Sequence, residues 1–149
     1  KPAWEVYLTA AAILHDTGEA VSPTRHELHS YYIVKNADFP SMEKWETEFV
    51  AQLCLWHPGG KPNEKDLPFV EQKERRQAFW RLLALLRVAD ALDRGHKRNV
   101  RVNRVAVDKK SVKIFLTGKS AIDLEILRVE QKKALFEQLF KKTLSAHRS

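Results

Sequence analysis

His15 and Asp16 stand side by side at the end of the apolar run Ala10-Ala11-Ala12-Ile13-Leu14. An imidazole nitrogen and a carboxylate oxygen at one helix end can both turn toward a single cation, and the donor pair suits borderline and hard divalent metals. A second acid, Asp90, falls within Leu85-Leu86-Arg87-Val88-Ala89-Asp90-Ala91-Leu92-Asp93. A carboxylate in so apolar a stripe must be paired, hydrogen-bonded or metal-bound, because an uncompensated buried charge is costly. Each group also has a plainer reading: the His-Asp pair as a loop pair whose histidine caps a helix, and Asp90 as the partner of Arg87 or Arg94.

The elements that must carry these groups can be read from apolar spacing. Residues 4–15 have helical periodicity with no cap ahead of them, so Lys1 reads as a cut from a longer protein. Gly18 and Ser22-Pro23-Thr24 mark a loop, and residues 26–36 read as a short helix ended by Asp38-Phe39-Pro40. Ser41 is the expected N-cap of an amphipathic helix over 42–56, with Trp45, Phe49, Val50, Leu53 and Leu55 inward. The prolines and glycines of residues 57–63 require a loop. The densest apolar stripe, over 71–92, is the expected core helix, and buried Cys54 and the four tryptophans read as structural.

Beyond Asn99 the period changes. Val100, Val102, Val105 and Val107, then Val112, Ile114 and Leu116, alternate with Lys and Arg as half-buried strands do, and Asp108-Lys109-Lys110-Ser111 is the expected hairpin turn. A third strand is expected over 123–127 and a closing helix over 129–144. The fold class is therefore mainly α, a helical domain over 1–98 followed by a small α+β subdomain over 99–149.

Leu14-His15-Asp16-x-Gly18, followed by Leu86-Arg87-x-Ala89-Asp90-Ala91-Leu92-Asp93 with Asp90 74 residues after Asp16, resembles the HD superfamily of metal-dependent phosphohydrolases. His26-x-x-His29-Ser30-Tyr31-Tyr32-Ile33-Val34, Trp56-His57 and Ala89-Asp90-Ala91-Leu92-Asp93-Arg94-Gly95-His96 together are similar to the C-terminal region of the exopolyphosphatase/guanosine pentaphosphate phosphatase (Ppx/GppA) family. The likeness covers nearly the whole chain. It implies an HD-type helical domain in which His15, Asp16 and Asp90 hold one Mg²⁺ or Mn²⁺ ion. A second ion would be held by His57 with His26 or His29, as in binuclear HD sites, and Glu19 would activate or position water. His26 and His29 are equally read as phosphate or interhelical contacts, His57 as a loop anchor and Glu19 as a solvated acid. Asp93, Arg94, His96, Lys97 and Arg98 form an expected substrate-binding cluster, or equally a charged helix end. The superfamily's first ligand histidine belongs upstream of Lys1, and full-length relatives carry an actin-like phosphatase domain upstream. The resemblance further implies a homodimer and a substrate that is inorganic polyphosphate or a phosphorylated guanosine nucleotide.

Composition sets the outer limits. The chain has 149 residues, long enough for a core without disulfide or metal staples, and its single cysteine excludes an internal disulfide framework. A reducing cytoplasm is the expected location, and no apolar run is long enough to cross a membrane. Residues 1–93 carry 11 Lys/Arg and 14 Asp/Glu, whereas residues 94–149 carry 15 and 5. That basic half is either a solvated face or a surface for polyanions, which gives the competing reading of a non-catalytic polyphosphate-binding or dimerisation module. Nucleic acid is not expected, because Phe115 is the only ring in the strand region and no aromatic ladder is evident.

Overall fold

The computed structural model describes residues 4–69, 71–93, 99–119 and 121–149, which form two units, Lys1–Leu86 and Arg87–Ser149. The architecture is mainly α with a small sheet, as the periodicities require.

The first unit is built on α1 (Trp4–Leu14), α2 (His26–Asn36), α3 (Lys44–Trp56) and the greater part of α4 (Lys73–Leu92). Short 3₁₀ turns at Thr17–Ala20 and Glu64–Asp66 join them. Apolar positions three and four apart on α3 place Phe49, Val50, Leu53 and Cys54 inside, all 0–1% exposed. Phe49 is the hub: its ring lies 4.9–6.4 Å from those of Trp4, Tyr7, Trp45, Phe69 and Phe79. Such ring pairs add to the area they bury, so the tryptophans at 4 and 45 serve packing. The α3 N-cap is Glu43 rather than Ser41, and the helix starts two residues later than the apolar pattern suggests. The reason is a reciprocal capping box, in which Glu46 and Glu43 each accept from the other's end of the first turn. The same Glu46 carboxylate accepts a short hydrogen bond from the Tyr7 hydroxyl and so ties α1 to α3.

Burial and the Glu46 carboxylate push the Tyr7 phenol up to about 12. An unfolded tyrosine ionises near 10, so the contribution of this group is intact below pH 10 and is lost as pH rises from there toward 12. Urea midpoints measured between pH 9 and 12 should therefore fall more steeply for the native chain than for Tyr7→Phe. Parallel curves would show that the phenol is not held in its neutral form by the fold.

In the second unit, β1 (Val100–Val107) and β2 (Ser111–Gly118) form the expected antiparallel hairpin. Asp108 closes its turn by accepting from the Lys110 and Ser111 amides and the Ser111 hydroxyl. A register shift between Val102 and Arg104 explains why the valine spacing on β1 slips from two to three. The expected third strand over 123–127 is instead helical: α5 covers Asp123–Lys132. Ile122 and Val129, seven residues apart, are both buried, and Asp123 and Glu125 occupy the first turn, where acids favour a helix N-terminus.

The expected helix over 129–144 is likewise divided. α6 (Ala134–Phe140) follows a break at Lys133 and ends where Lys141 adopts a left-handed φ of 55°. The third strand is β3 (Thr143–Arg148), parallel to β2, with Leu144 and Ala146 buried and Thr143, Ser145 and His147 alternating outward. The parallel pairing requires a crossover, and α5 and α6 supply it. Three of the four β1 valines are not half-buried: Val102, Val105 and Val107 are 45–65% exposed, whereas Val112, Ile114 and Leu116 on the central strand take the core, and the crossover helices pack against β3 at the other edge. No helix among the described residues is long and apolar enough to cross a membrane.

Candidate metal centre

Two helix C-termini and one 3₁₀ turn bring the chemically able residues of the first unit together. His15 follows the last residue of α1, and His57 is the C-cap of α3. Each histidine satisfies a carbonyl that its helix end leaves over: His15 Nδ1 lies 2.9 Å from the Ala12 carbonyl and His57 Nδ1 lies 2.6 Å from that of Cys54. A carbonyl only accepts, so both Nδ1 atoms carry the proton, and in the neutral ring each Nε2 presents a lone pair.

Those Nε2 atoms point at Asp16. His15 Nε2 lies 2.9 Å from Asp16 Oδ2, and His57 Nε2 lies 3.5 Å from Oδ1. The ligand atoms of His15, Asp16 and His57 all fall within 4.8 Å of one another. His26, the first residue of α2, closes the group with Nε2 3.1 Å from Asp16 Oδ1 and 3.2 Å from His57 Nε2. Two imidazole lone pairs and a carboxylate facing one another repel unless a proton or a cation lies among them. The negative ends of the α1 and α3 dipoles favour the same positive charge. The donor set thus fits a divalent metal, with its outer hydrogen bonds to backbone carbonyls already formed.

Asp16 is half-buried, which alone would push its carboxyl up. When His15 and His57 carry a proton on Nε2 as well, in the place a cation would take, their hydrogen bonds and positive charge outweigh that and hold it well below the usual carboxylate range. The nearby Cys54 thiol is fully buried, and its burial together with the Asp16 charge pushes it up to about 12, so it stays protonated and structural.

Gly18 sets the position of this turn. Its amide donates to the Ser30 hydroxyl at 2.9 Å, and a Cβ at this position would lie 2.1 Å from the His26 carbonyl oxygen and 2.4 Å from the Ser30 nitrogen. Only a residue without a side chain lets the turn bearing Asp16 lie against the helix bearing His26.

Of the remaining sequence candidates, His29 lies on α2 beside Gly18 and is not in this group. Glu19 is exposed on the 3₁₀ turn, its amide bonded to the Asp16 carbonyl. Asp90 is buried at 7% exposure and Asp93 is exposed, both in the second unit. Arg94, His96, Lys97 and Arg98 lie outside the described residues. Sequence reasoning divided His15/Asp16 from His26/His57 as two sites; the fold makes them one, and only the helix-end positions of His15 and His57 hinted at it. It also missed Arg25, whose left-handed φ of 54° turns the chain directly into His26.

A family model described as Ppx/GppA phosphatase, domain III, matches residues 2–142. No curated protein matches the chain at a significant level.

Proposed function

Because the chain belongs to the Ppx/GppA phosphatase family, we propose that it is the HD-type region of a phosphohydrolase and that it holds one divalent cation, Mg²⁺ or Mn²⁺, at His15, Asp16 and His57. The observation that carries this reading is the convergence of two lone-pair-bearing Nε2 atoms on a half-buried carboxylate. When bound, such a cation supplies Lewis acidity toward phosphoryl oxygens and acidifies water.

The chain's own residues do the rest. Asp16 supplies the negative charge, the Ala12 and Cys54 carbonyls orient the two imidazoles, and His26 closes the rim beside Asp16. Glu19, one turn beyond Asp16, is the base that takes a proton from water. Asp90 as a further ligand rests on the sequence resemblance alone. The substrate is inorganic polyphosphate or a phosphorylated guanosine nucleotide, handled by a longer cytoplasmic, dimeric protein with an actin-like phosphatase domain upstream. Within it, residues 1–98 form the helical region and residues 99–149 an appended α+β subdomain.

Elemental analysis of the chain after dialysis against trace Mn²⁺, with His15→Ala beside it, tests the reading. Near-stoichiometric metal in the native chain, lost in a variant with an unchanged circular dichroism spectrum, supports it. Absence of metal from the native chain overturns it. Phosphate release from polyphosphate by the loaded chain, abolished by Glu19→Gln at unchanged metal content, would assign the base.

A further inference from the structure

The face of the sheet opposite the buried Val112, Ile114 and Leu116 carries a row of flat side chains, one from each strand. Arg104 on β1 is paired in register with Phe115 on β2, and Phe115 with His147 on β3. The Arg104 guanidinium lies over the Phe115 ring, 4.3 Å from its centroid. On the other side the His147 ring is 5.6 Å from it, with planes 30° apart. Arg104 and His147, the two ends of this stack, are exposed.

The surroundings are cationic and hydrogen-bonding. Side chains alternate along a strand, so Lys113, Thr117 and Ser145 share the face with Phe115. Lys113, Thr117 and Arg101, which is paired with Thr117, are all exposed. Asp108 is the sole acid in the three strands and the hairpin turn, and its carboxylate is taken up by the turn itself. The face thus offers positive charge and flat planes without a competing carboxylate.

We propose that this face binds single-stranded nucleic acid, with bases stacked on the exposed planes of Arg104 and His147 and phosphates held by Arg101 and Lys113. Guanidinium, imidazole and phenyl planes stack on any base, and basic side chains along the same surface follow the backbone. Phe115 contributes by holding both planes upright. Inorganic polyphosphate matches the charge but has no ring to use the row, so the stack itself favours the nucleic acid. From sequence Phe115 stood alone; strand pairing supplies the two other planes. The surface lies within the second unit, and the proposal does not depend on the metal reading.

Fluorescence anisotropy of a labelled oligouridylate titrated with the chain, competed by inorganic polyphosphate of matched charge, tests this. Arg104→Lys keeps the charge and removes the plane; His147→Ala removes the other plane at an exposed site. Each is expected to weaken oligouridylate binding about tenfold while leaving polyphosphate binding unchanged. No binding of oligouridylate at low salt overturns the proposal. So does unchanged affinity in Arg104→Lys, or equal loss of both polyanions in the two variants, which would mark a surface that senses charge alone.

Discussion

Gly18→Ala, a change of one methyl group, is expected to destabilise the helical unit by about 3 kcal/mol, at the upper end for overpacking. The atoms that the new Cβ would meet at 2.1 and 2.4 Å are the His26 carbonyl and the Ser30 amide. Both are backbone within one helix and neither can swing aside as the tip of a long side chain would. Relief requires the 3₁₀ turn to lift from α2, which breaks the Gly18 amide bond to Ser30. It also carries Asp16 away from His26 and His57. A fall in the urea midpoint accompanied by weakened Mn²⁺ retention is the expected pair of results. An unchanged midpoint would mean that the turn and the helix are not in the contact described.

Asp16→Asn separates charge from shape. The amide is nearly isosteric, and its NH₂ group can donate to an imidazole lone pair, so stability without metal should stay within about 1 kcal/mol of the native chain. Affinity for Mn²⁺ should fall by about 100-fold or more. Losing the only carboxylate of the three-ligand group is a larger change than the loss of an outer hydrogen-bonding partner, which commonly costs 10–100-fold. Isothermal titration with Mn²⁺ and a urea melt of the metal-free chain give the two numbers. A large loss of stability with retained affinity would make Asp16 a structural counter-charge for its histidines rather than a ligand.

Much of the fold was legible because long helices announce themselves. The apolar stripes of α3 and α4 and the hairpin with Asp108 in its turn follow directly from spacing. The third strand was misplaced because Asp123 to Leu127 satisfies a short strand pattern and a helix turn equally well. Only the burial of Ile122 and Val129 on one side decides between them. Thr143 to Arg148 carries a true two-residue alternation, but it follows Leu139 and Phe140 so closely that the helical pattern runs into it; the left-handed Lys141 that divides them leaves no mark in residue type. For the candidate site, His15-Asp16 was evident as a pair. Its union with His26 and His57 depends on helix ends meeting in space, which adjacency in sequence cannot convey.

The parallel pairing of β2 with β3 bears on how the second unit reaches its folded state. The hairpin closes over a tight turn and can form within microseconds, whereas β3 can dock only after the chain between Gly118 and Thr143 has folded back across the sheet. During that interval the free edge of β2 presents unpaired backbone groups, beside the still uncovered Val112, Ile114 and Leu116, to any other unfinished chain, the exposure from which intermolecular strand addition starts. Lys113 lies among them and Lys109 and Lys110 immediately before them. Like charges on a second chain would repel that edge, so these residues act as gatekeepers against aggregation until β3 arrives.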